Sequence, residues 1–264
     1  MPTDKIVVLM YHRVGTANNA WEQKYCISPK QFAAHMQALA NCGMNAVGIG
    51  EFIDWVEGKM DLSEKSFVIT FDDGFRGVRD YALPVLEQHG WPATVFLVTD
   101  LIGKQDEWTQ PVNPDGRTYP LLDADEIRDM AGRGISFHSH TCTHPSLPTL
   151  DDSVLVEELS RSRTTLQKSF AFDGEYLAYP FGHLDNRVEH ATSSVGYRAA
   201  FSTQPGFNRR DVNRYRIRRL DVFGADTPAM LLRKMRLGTN DGRLGSVARY
   251  YLSRVASRFR AISS

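Results

Sequence analysis

The sequence predicts an α/β protein in which about seven parallel strands form a barrel. Short runs rich in β-branched and aromatic residues alternate with longer segments of helical period, a pattern typical of βα units around a parallel sheet. Seven such runs are present, and no linker or low-complexity segment divides the chain. The runs that we predict as strands are 5–11, 66–71, 93–98, 134–138, 175–179, 197–202 and 215–222.

Three of the intervening segments carry helix signals. Residues 28–31 read Ser-Pro-Lys-Gln, which supplies a capping hydroxyl, a proline suited to the first turn and a capping-box partner. Residues 123–126 repeat the capping logic with Asp and Glu. A third helix is predicted over 151–170, with Leu155, Leu159, Leu166 and Phe170 on its apolar side. We place Glu157, Glu158, Arg161 and Arg163 elsewhere on that helix.

The composition is that of a globular protein. The chain has 264 residues, 42% of them hydrophobic, and its 31 Lys and Arg balance 31 Asp and Glu. A net charge of zero argues against a protein that coats nucleic acid, since that binding depends on neutralising phosphates. The three cysteines form no CxxC pair, so we expect reduced thiols. The apolar run 6–10 is too short for a signal peptide or a membrane span, and we expect a cytoplasmic protein.

Two adjacent carboxylates, Asp72 and Asp73, follow the predicted strand 66–71 and precede a glycine. Catalytic side chains of parallel α/β proteins gather at the carboxyl ends of the strands. One carboxylate of such a pair can bind a metal while its neighbour acts as a general base. The alternative interpretation is a turn that caps a helix.

Three of the eight histidines, His138, His140 and His144, fall within seven residues at the end of another predicted strand. Neutral imidazole is the commonest metal ligand, and two histidines with one aspartate form a three-ligand site that keeps an open position. A structural role remains the alternative for each histidine. We interpret Cys142, in the same run, as a small buried residue.

Two further strand ends and one loop are candidates for the rim of a site. Residues 178–182 read AYPFG, which is either a strand-ending turn or a wall whose backbone N–H groups face a developing oxyanion. His12 follows the first predicted strand and is a candidate general acid. The loop 99–120, rich in Gly, Pro, Asp and Gln, is a candidate lid.

Taken together, TFDDG at 70–74, HTCTH at 140–144 and AYPFG at 178–182 resemble the NodB-type polysaccharide deacetylases, carbohydrate esterase family four. The motifs occur in family order over about residues 66–183. The resemblance implies a distorted (β/α) barrel of about seven parallel strands, which we assign to residues 1–240. It also implies a hydrolase that removes N-acetyl groups from GlcNAc-type sugars of a polysaccharide.

The resemblance also implies roles for individual residues. Asp72 looks like the general base, and the backbone N–H of Phe181 would help to stabilise the oxyanion beside Tyr179 and Pro180. The implied ligands of a divalent metal, usually Zn²⁺ in this family, are Asp73, His140 and His144. Residues 11–14 are similar to the start of the circularly permuted subgroup that acts on poly-N-acetylglucosamine, in which the catalytic acid maps onto His12.

The sequence departs from the family pattern in two places. The arginine usual before the proline of the third motif is absent, which leaves open the group that tunes Asp72. The late-strand residues Arg218, Arg219 and Asp221 are candidates, and a solvated or inter-strand salt network is the alternative interpretation of that cluster. The late Leu-x-His motif is also absent, which supports the permuted interpretation. A glycan-binding pseudoenzyme and a metal-dependent O-acetyl esterase remain alternative functions. Candidate sugar-stacking aromatics, for each of which packing in the core or at the rim is the alternative interpretation, are Trp108, Tyr119, Tyr179, Phe181 and Phe223.

The end of the chain differs in charge from the rest. From residue 231 onwards, Asp241 is the one acid among eight Lys and Arg. Apolar residues recur at helical spacing over 241–264, which predicts a basic amphipathic helix. We expect it either to dock on the barrel or to make peripheral contact with the inner membrane.

Overall fold

The computed structural model describes residues 2–243 and 245, which form a parallel sheet curled into a half-barrel with helices packed around it. The strands are β1 (Val7–Tyr11), β2 (Arg13–Val14), β3 (Cys26–Ile27), β4 (Asn45–Ala46), β5 (Ser66–Phe71), β6 (Ala93–Leu97), β7 (Ile135–Ser139), β8 (Tyr176–Ala178), β9 (Ala199–Phe201) and β10 (Leu220–Asp221). The helices are α1 (Pro29–Asn41), α2 (Ile49–Val56), α3 (Leu83–His89), α4 (Ala124–Ala131), α5 (Asp152–Phe170), α6 (Asn186–Val195) and α7 (Pro228–Leu237).

The main sheet has the order β10-β1-β5-β6-β7-β8-β9, and every one of these neighbours pairs in parallel. Short β4 pairs with the start of β5, and β2 pairs with β3 in a separate two-stranded sheet. The predicted fold class is confirmed. Because all seven strands run the same way, their carboxyl ends meet at one edge of the sheet.

The seventh predicted strand, 215–222, is wrong in its extent. Within it, Ile217 forms a parallel bridge to Phe201 of β9, and only Leu220–Asp221 forms a strand, which pairs with β1. The segment therefore pairs with β9 and then with β1, at opposite ends of the sheet. Between these two pairings lies Arg219, whose side chain is fully buried.

The predicted helix starts are confirmed. Ser28 caps α1 by accepting the Gln31 N–H at 3.2 Å, and Asp123 and Glu126 form a reciprocal capping box at the start of α4. In α5, Leu155, Leu159 and Leu166 are buried. The placement of Glu158 away from the packed side was wrong, because its side chain turns inward and binds a loop of the site described below.

The sheet is buried on both faces, as expected of a parallel sheet. Val7, Leu9 and Tyr11 of β1 belong to a cluster that contains the apolar face of α1. Val8 of the same strand belongs to a second cluster, which contains Phe52 of α2. This alternation holds the strand ends rigidly in place.

No helix within the described residues has the length and apolar character needed to cross a bilayer. The predicted C-terminal amphipathic helix lies outside the described residues, apart from residues 241–243 and 245.

Candidate metal and active site

Asp72 and Asp73 lie directly after β5, at the carboxyl edge of the sheet. The Asp72 N–H donates to the Tyr11 carbonyl oxygen at 2.9 Å, which continues the pairing with β1 by one residue. The chain then turns sharply, with φ of 73° at Asp73 and 81° at Gly74. A Cβ atom at Gly74 would lie 2.8 Å from Cδ2 of Leu97, so both the backbone and the space favour glycine.

Asp73, His140 and His144 are buried and converge on one point. Oδ1 of Asp73 lies 3.4 Å from Nε2 of His140 and 3.3 Å from Nε2 of His144. One ligand atom from each residue lies within 4.8 Å of the others. An oxygen and two imidazole nitrogens are the donors that catalytic zinc and related divalent ions take, so these residues fit a metal ion.

The histidine rings are held in suitable orientations by their surroundings. Nδ1 of His140 donates to the Ala178 carbonyl oxygen at 2.8 Å, which leaves the lone pair on Nε2, the atom that faces Asp73. His144 has a positive φ of 65°, and its N–H donates to Oγ1 of Thr141 at 3.1 Å. Within the described part of the chain, buried Nδ1 of His144 has no hydrogen-bond partner.

A buried glutamate from α5 shapes the histidine loop. The Glu158 carboxylate accepts hydrogen bonds from the N–H groups of Cys142 and Thr143, at 2.9 and 3.0 Å, and from Oγ1 of Thr143 at 2.7 Å. Sequence reasoning missed this residue. The sequence feature that could have indicated it is its position directly before Leu159, which lies on the packed side of α5. Cys142 is fully buried.

Asp72 is held by Arg219 rather than by Arg218. The guanidinium donates two hydrogen bonds to the carboxylate, from Nη1 to Oδ1 at 2.6 Å and from Nη2 to Oδ2 at 2.8 Å. Its Nε donates to the Ser202 carbonyl oxygen at 3.0 Å. Burial alone would raise the pKa of Asp72, but the charge and hydrogen bonds of Arg219, together with the charges of His140 and His12, outweigh it and hold this pKa below its usual range. Arg218 instead donates to the Pro205 carbonyl oxygen.

His12 and Asp221 lie at the ends of the two neighbouring strands. Both line the same cavity as Asp72, and the His12 ring packs on Tyr25 with centroids 4.8 Å apart. Burial raises the pKa of Asp221, an effect that the nearby His12 charge opposes. Among the residues described, buried Nδ1 of His12 has no hydrogen-bond partner.

The third motif divides between the core and the cavity. Tyr179 and Pro180 are buried, and the Tyr179 hydroxyl donates to the Tyr215 carbonyl oxygen at 3.1 Å. Tyr179 therefore packs in the core and offers no stacking face, which corrects our expectation for its ring. Phe181, with φ of 59°, is 53% exposed and contacts the His144 ring with centroids 4.6 Å apart.

A cavity of about 330 Å³, a size suited to a small-molecule or sugar-sized group, is lined by both aspartates, the two histidines of the candidate metal site, His12, Asp221 and Phe181. The candidate lid 99–120 supplies Trp108, whose ring stacks on His144 with centroids 4.5 Å apart, and Tyr119. Phe223 does not line the cavity, whereas Trp21 and Tyr25, which sequence reasoning missed, do. The missed pair belongs to no motif and lies in the loop between β2 and β3, outside the strand-end motifs.

Asp106 fixes the two ends of the lid loop to each other. Its carboxylate accepts hydrogen bonds from the Tyr119 N–H and from Oγ1 of Thr109, the latter at 2.8 Å. Burial raises the pKa of Asp106 to about 6.

A half-barrel of parallel strands with a candidate Asp-His-His metal site and a paired second carboxylate at its carboxyl edge is typical of hydrolases. The comparisons with known proteins make this class specific. The polysaccharide deacetylase family model matches residues 59–200, and the chain belongs to that family, whose members are hydrolases acting on amide bonds.

The poly-beta-1,6-N-acetyl-D-glucosamine N-deacetylase of Staphylococcus epidermidis is 28% identical over 209 residues, which cover 76% of this chain and 69% of the relative. Two solved structures share the fold. The Streptococcus pyogenes deacetylase PplD, in complex with acetate, matches with a TM-score of 0.76 at 21% identity, covering 89% of this chain and 99% of PplD. IcaB from Ammonifex degensii matches with a TM-score of 0.72 at 24% identity, covering 84% of this chain and 93% of IcaB.

Proposed function

We propose that this protein removes N-acetyl groups from GlcNAc-type residues of a polysaccharide. The single observation that carries the proposal is the pairing of two differently held carboxylates: Asp73 faces two imidazoles, and Asp72 faces an arginine. Such a split between neighbouring acids separates metal binding from proton transfer. The name of the S. epidermidis relative supports the choice of sugar.

Asp73, His140 and His144 would hold the metal, for which we propose Zn²⁺. When bound, the metal supplies Lewis acidity that polarises an acetamido carbonyl group and a water molecule. The role of the three side chains is to present one oxygen and two nitrogens in a fixed arrangement relative to one another. The hydrogen bond from His140 to Ala178 keeps the required tautomer.

We propose that Asp72 accepts the proton of the attacking water. Arg219 keeps this carboxylate ionised and fixes its plane through two hydrogen bonds. His12, which lines the same cavity as Asp72 and Asp221, would donate a proton to the departing nitrogen. The Phe181 N–H would donate to the oxyanion.

An acetate-release assay on N-acetylated and O-acetylated glycans, with metal-stripped and metal-restored enzyme, tests this function. We expect release from N-acetylated substrates only after metal is restored. Release from O-acetylated glycans alone would indicate an esterase. Binding of the glycan without release under either condition would indicate a pseudoenzyme.

We also propose that the protein acts in the cytoplasm, with its basic end in peripheral contact with anionic lipid of the inner membrane. The excess of Lys and Arg after residue 231 supports this. Co-sedimentation with anionic liposomes should be lost when the chain is truncated after Gly242. Equal, negligible binding by both proteins would contradict the proposal.

A further inference from the structure

One wall of the cavity, outside the metal-site motifs, is made by two loops. One loop, residues 15–25, connects β2 to β3, and the other is the lid loop 99–120. Both contribute lining residues, including Trp21 from the first loop and Tyr119 from the second. None of the residues in this wall has a role in the chemistry proposed above.

A buried carboxylate, that of Glu22, joins the two loops. Its side chain is 1% exposed, and it accepts four hydrogen bonds. Oε2 accepts from Nη2 of Arg13 at 2.8 Å and from the Asn18 N–H at 2.7 Å, both on the β2 side. Oε1 accepts from the Tyr119 hydroxyl at 2.6 Å and from Nδ2 of Asn113 at 3.1 Å, both on the lid loop.

The contacts around Glu22 strengthen the junction. The Arg13 guanidinium lies over the Tyr119 ring, 3.5 Å from its centroid, and Nδ2 of Asn18 donates to the Tyr119 hydroxyl at 2.7 Å. With both oxygens already accepting two hydrogen bonds, the carboxylate has little capacity left for a ligand. Its function is therefore to hold the loops, and with them the residue next to it in the chain.

That neighbouring residue is Trp21, whose side chain is available to a ligand. It lines the cavity and is 39% exposed. Across residues 2–243, no ring contact and no side-chain hydrogen bond engages its indole. Large aromatic side chains left open at the mouth of a cavity are typical of binding surfaces.

The two aromatic groups at the metal end are already engaged. Trp108 stacks on His144, and Phe181 contacts the same ring from another side, so these two surround the place where the acetamido group must lie. Trp21 is on the other loop and contacts neither of them. Its ring is therefore available to a part of the substrate beyond the sugar that reacts.

We propose that Trp21 is the stacking face for the sugar ring next to the one that loses its acetyl group, and that Glu22 is the positioning residue that holds it there. The inference rests on the proposed function, because it takes a chain of GlcNAc-type sugars as the substrate. One face of a pyranose ring is lined by C–H groups and packs on an aromatic face, while its hydroxyls remain at the edge, where they can form hydrogen bonds.

The test compares substrates of different length. Acetate release is measured on β-1,6-linked N-acetylglucosamine oligosaccharides of one to five units, for the wild type and for W21A, W21F and E22Q. Tyr81→Ala is the matched control, because Tyr81 is 46% exposed and does not line the cavity. For the trisaccharide, we expect W21A to raise KM about tenfold with kcat within about twofold, a loss of roughly 1.4 kcal/mol in binding.

The remaining variants sharpen the test. W21F should recover most of the affinity, E22Q should raise KM by about threefold, and Y81A should match the wild type. The monosaccharide should show no effect of W21A, because it has no neighbouring ring. Equal losses on the monosaccharide and the trisaccharide, or a fall in kcat at unchanged KM, would overturn the subsite.

Calorimetry with the same oligosaccharides on chelator-treated protein separates this inference from the proposed function. One outcome is that the wild type binds the oligosaccharides, that W21A weakens this binding about tenfold, and that the metal-loaded wild type releases no acetate. This outcome would overturn the function and support the subsite. Acetate release with affinity independent of Trp21 overturns the subsite alone.

Discussion

The two ends of the cavity are built in different ways. At the strand edge, Asp72, Asp73, His140 and His144 come from short contiguous motifs, and their positions are imposed by a buried parallel sheet. At the loop wall, residues separated by about a hundred positions are joined by hydrogen bonds, two of which the buried Glu22 carboxylate accepts in addition to two from its own side of the wall. The strand edge supplies reactive groups at fixed distances, whereas the loop wall supplies shape. We therefore expect mutations at the strand edge to change kcat and mutations at the wall to change KM.

The largest effect is expected from Asp73→Asn at the strand edge. It removes the one anionic donor that faces both imidazoles, so metal affinity and metal-dependent rate should fall together. We expect a loss of about 10³-fold in kcat, since Lewis-acid stabilisation of this kind contributes several kcal/mol. Elemental analysis after dialysis and acetate release measure the two effects. Asp125→Asn, on the exposed surface of α4, is the control, and normal metal content in D73N would contradict the assignment.

Arg219→Met should come next, because it leaves the Asp72 carboxylate buried without its partner. Breaking a buried pair in this way costs about 3–5 kcal/mol of stability, measurable by denaturant unfolding. The pKa of Asp72 should rise, since burial remains and the opposing charge is gone. The acidic limb of the kcat/KM profile should therefore move to higher pH.

Two matched variants complete that experiment. Arg218→Met removes a neighbouring arginine that binds a carbonyl oxygen only, and it should have little effect. The double variant D72N/R219M should recover part of the lost stability, because it removes the unpaired charge. Stability of R219M equal to that of the wild type would show that the pair is dispensable.

At the loop wall, Glu22→Gln should make stability less sensitive to acid. Burial alone would raise the pKa of Glu22, but hydrogen bonds from Tyr119, Asn18 and Asn113 and the charge of Arg13 lower it to about 2. Because the folded-state pKa lies below the unfolded value of 4.5, the stabilisation is complete above pH 4.5. It is lost as the pH falls from about 4.5 to about 2.

The difference in Tm between the wild type and E22Q should thus be largest near pH 6 and should shrink toward pH 3. Thermal unfolding followed by circular dichroism at several pH values measures it. Glu107→Gln, an exposed residue of the same lid loop, is the control. A difference that stays constant with pH would mean that the charge of Glu22 contributes nothing.

The smallest effect is expected from Tyr119→Phe, which removes one hydroxyl and keeps the ring over Arg13. The loss of its hydrogen bonds to Glu22 and Asn18 should cost about 1 kcal/mol of stability. A double-mutant cycle with E22Q should show coupling between the two sites, because they share a hydrogen bond. Strict additivity of the two changes would indicate that the wall is not a connected unit.

The contrast between the strand edge and the loop wall also explains which site residues can be predicted from the sequence. The strand edge is predictable because a parallel sheet brings its strand ends together, so Asp72 and His140 meet although β6 lies between their strands. Arg219 was one of three candidates for the group that tunes Asp72, because strand register alone does not tell which of two adjacent arginines points inward. Glu22 and Trp21 were missed because a loop residue gains its partners only from tertiary packing. Glu158 was misplaced because burial of a charge depends on the loop that it binds.

Five non-glycine residues within the described chain have positive φ, and four of them belong to this site: Asp73, Thr141, His144 and Phe181. Each such residue costs on the order of 1 kcal/mol. Selection for heat resistance alone would therefore favour glycine at these positions, for example at Thr141. Glycine at position 141 would also remove the hydroxyl that accepts a hydrogen bond from the His144 N–H, so the histidine loop would lose that support. In a laboratory evolution experiment, we expect substitutions at this edge of the sheet that raise thermostability to lower turnover. Stabilising substitutions that keep the activity should accumulate elsewhere in the chain.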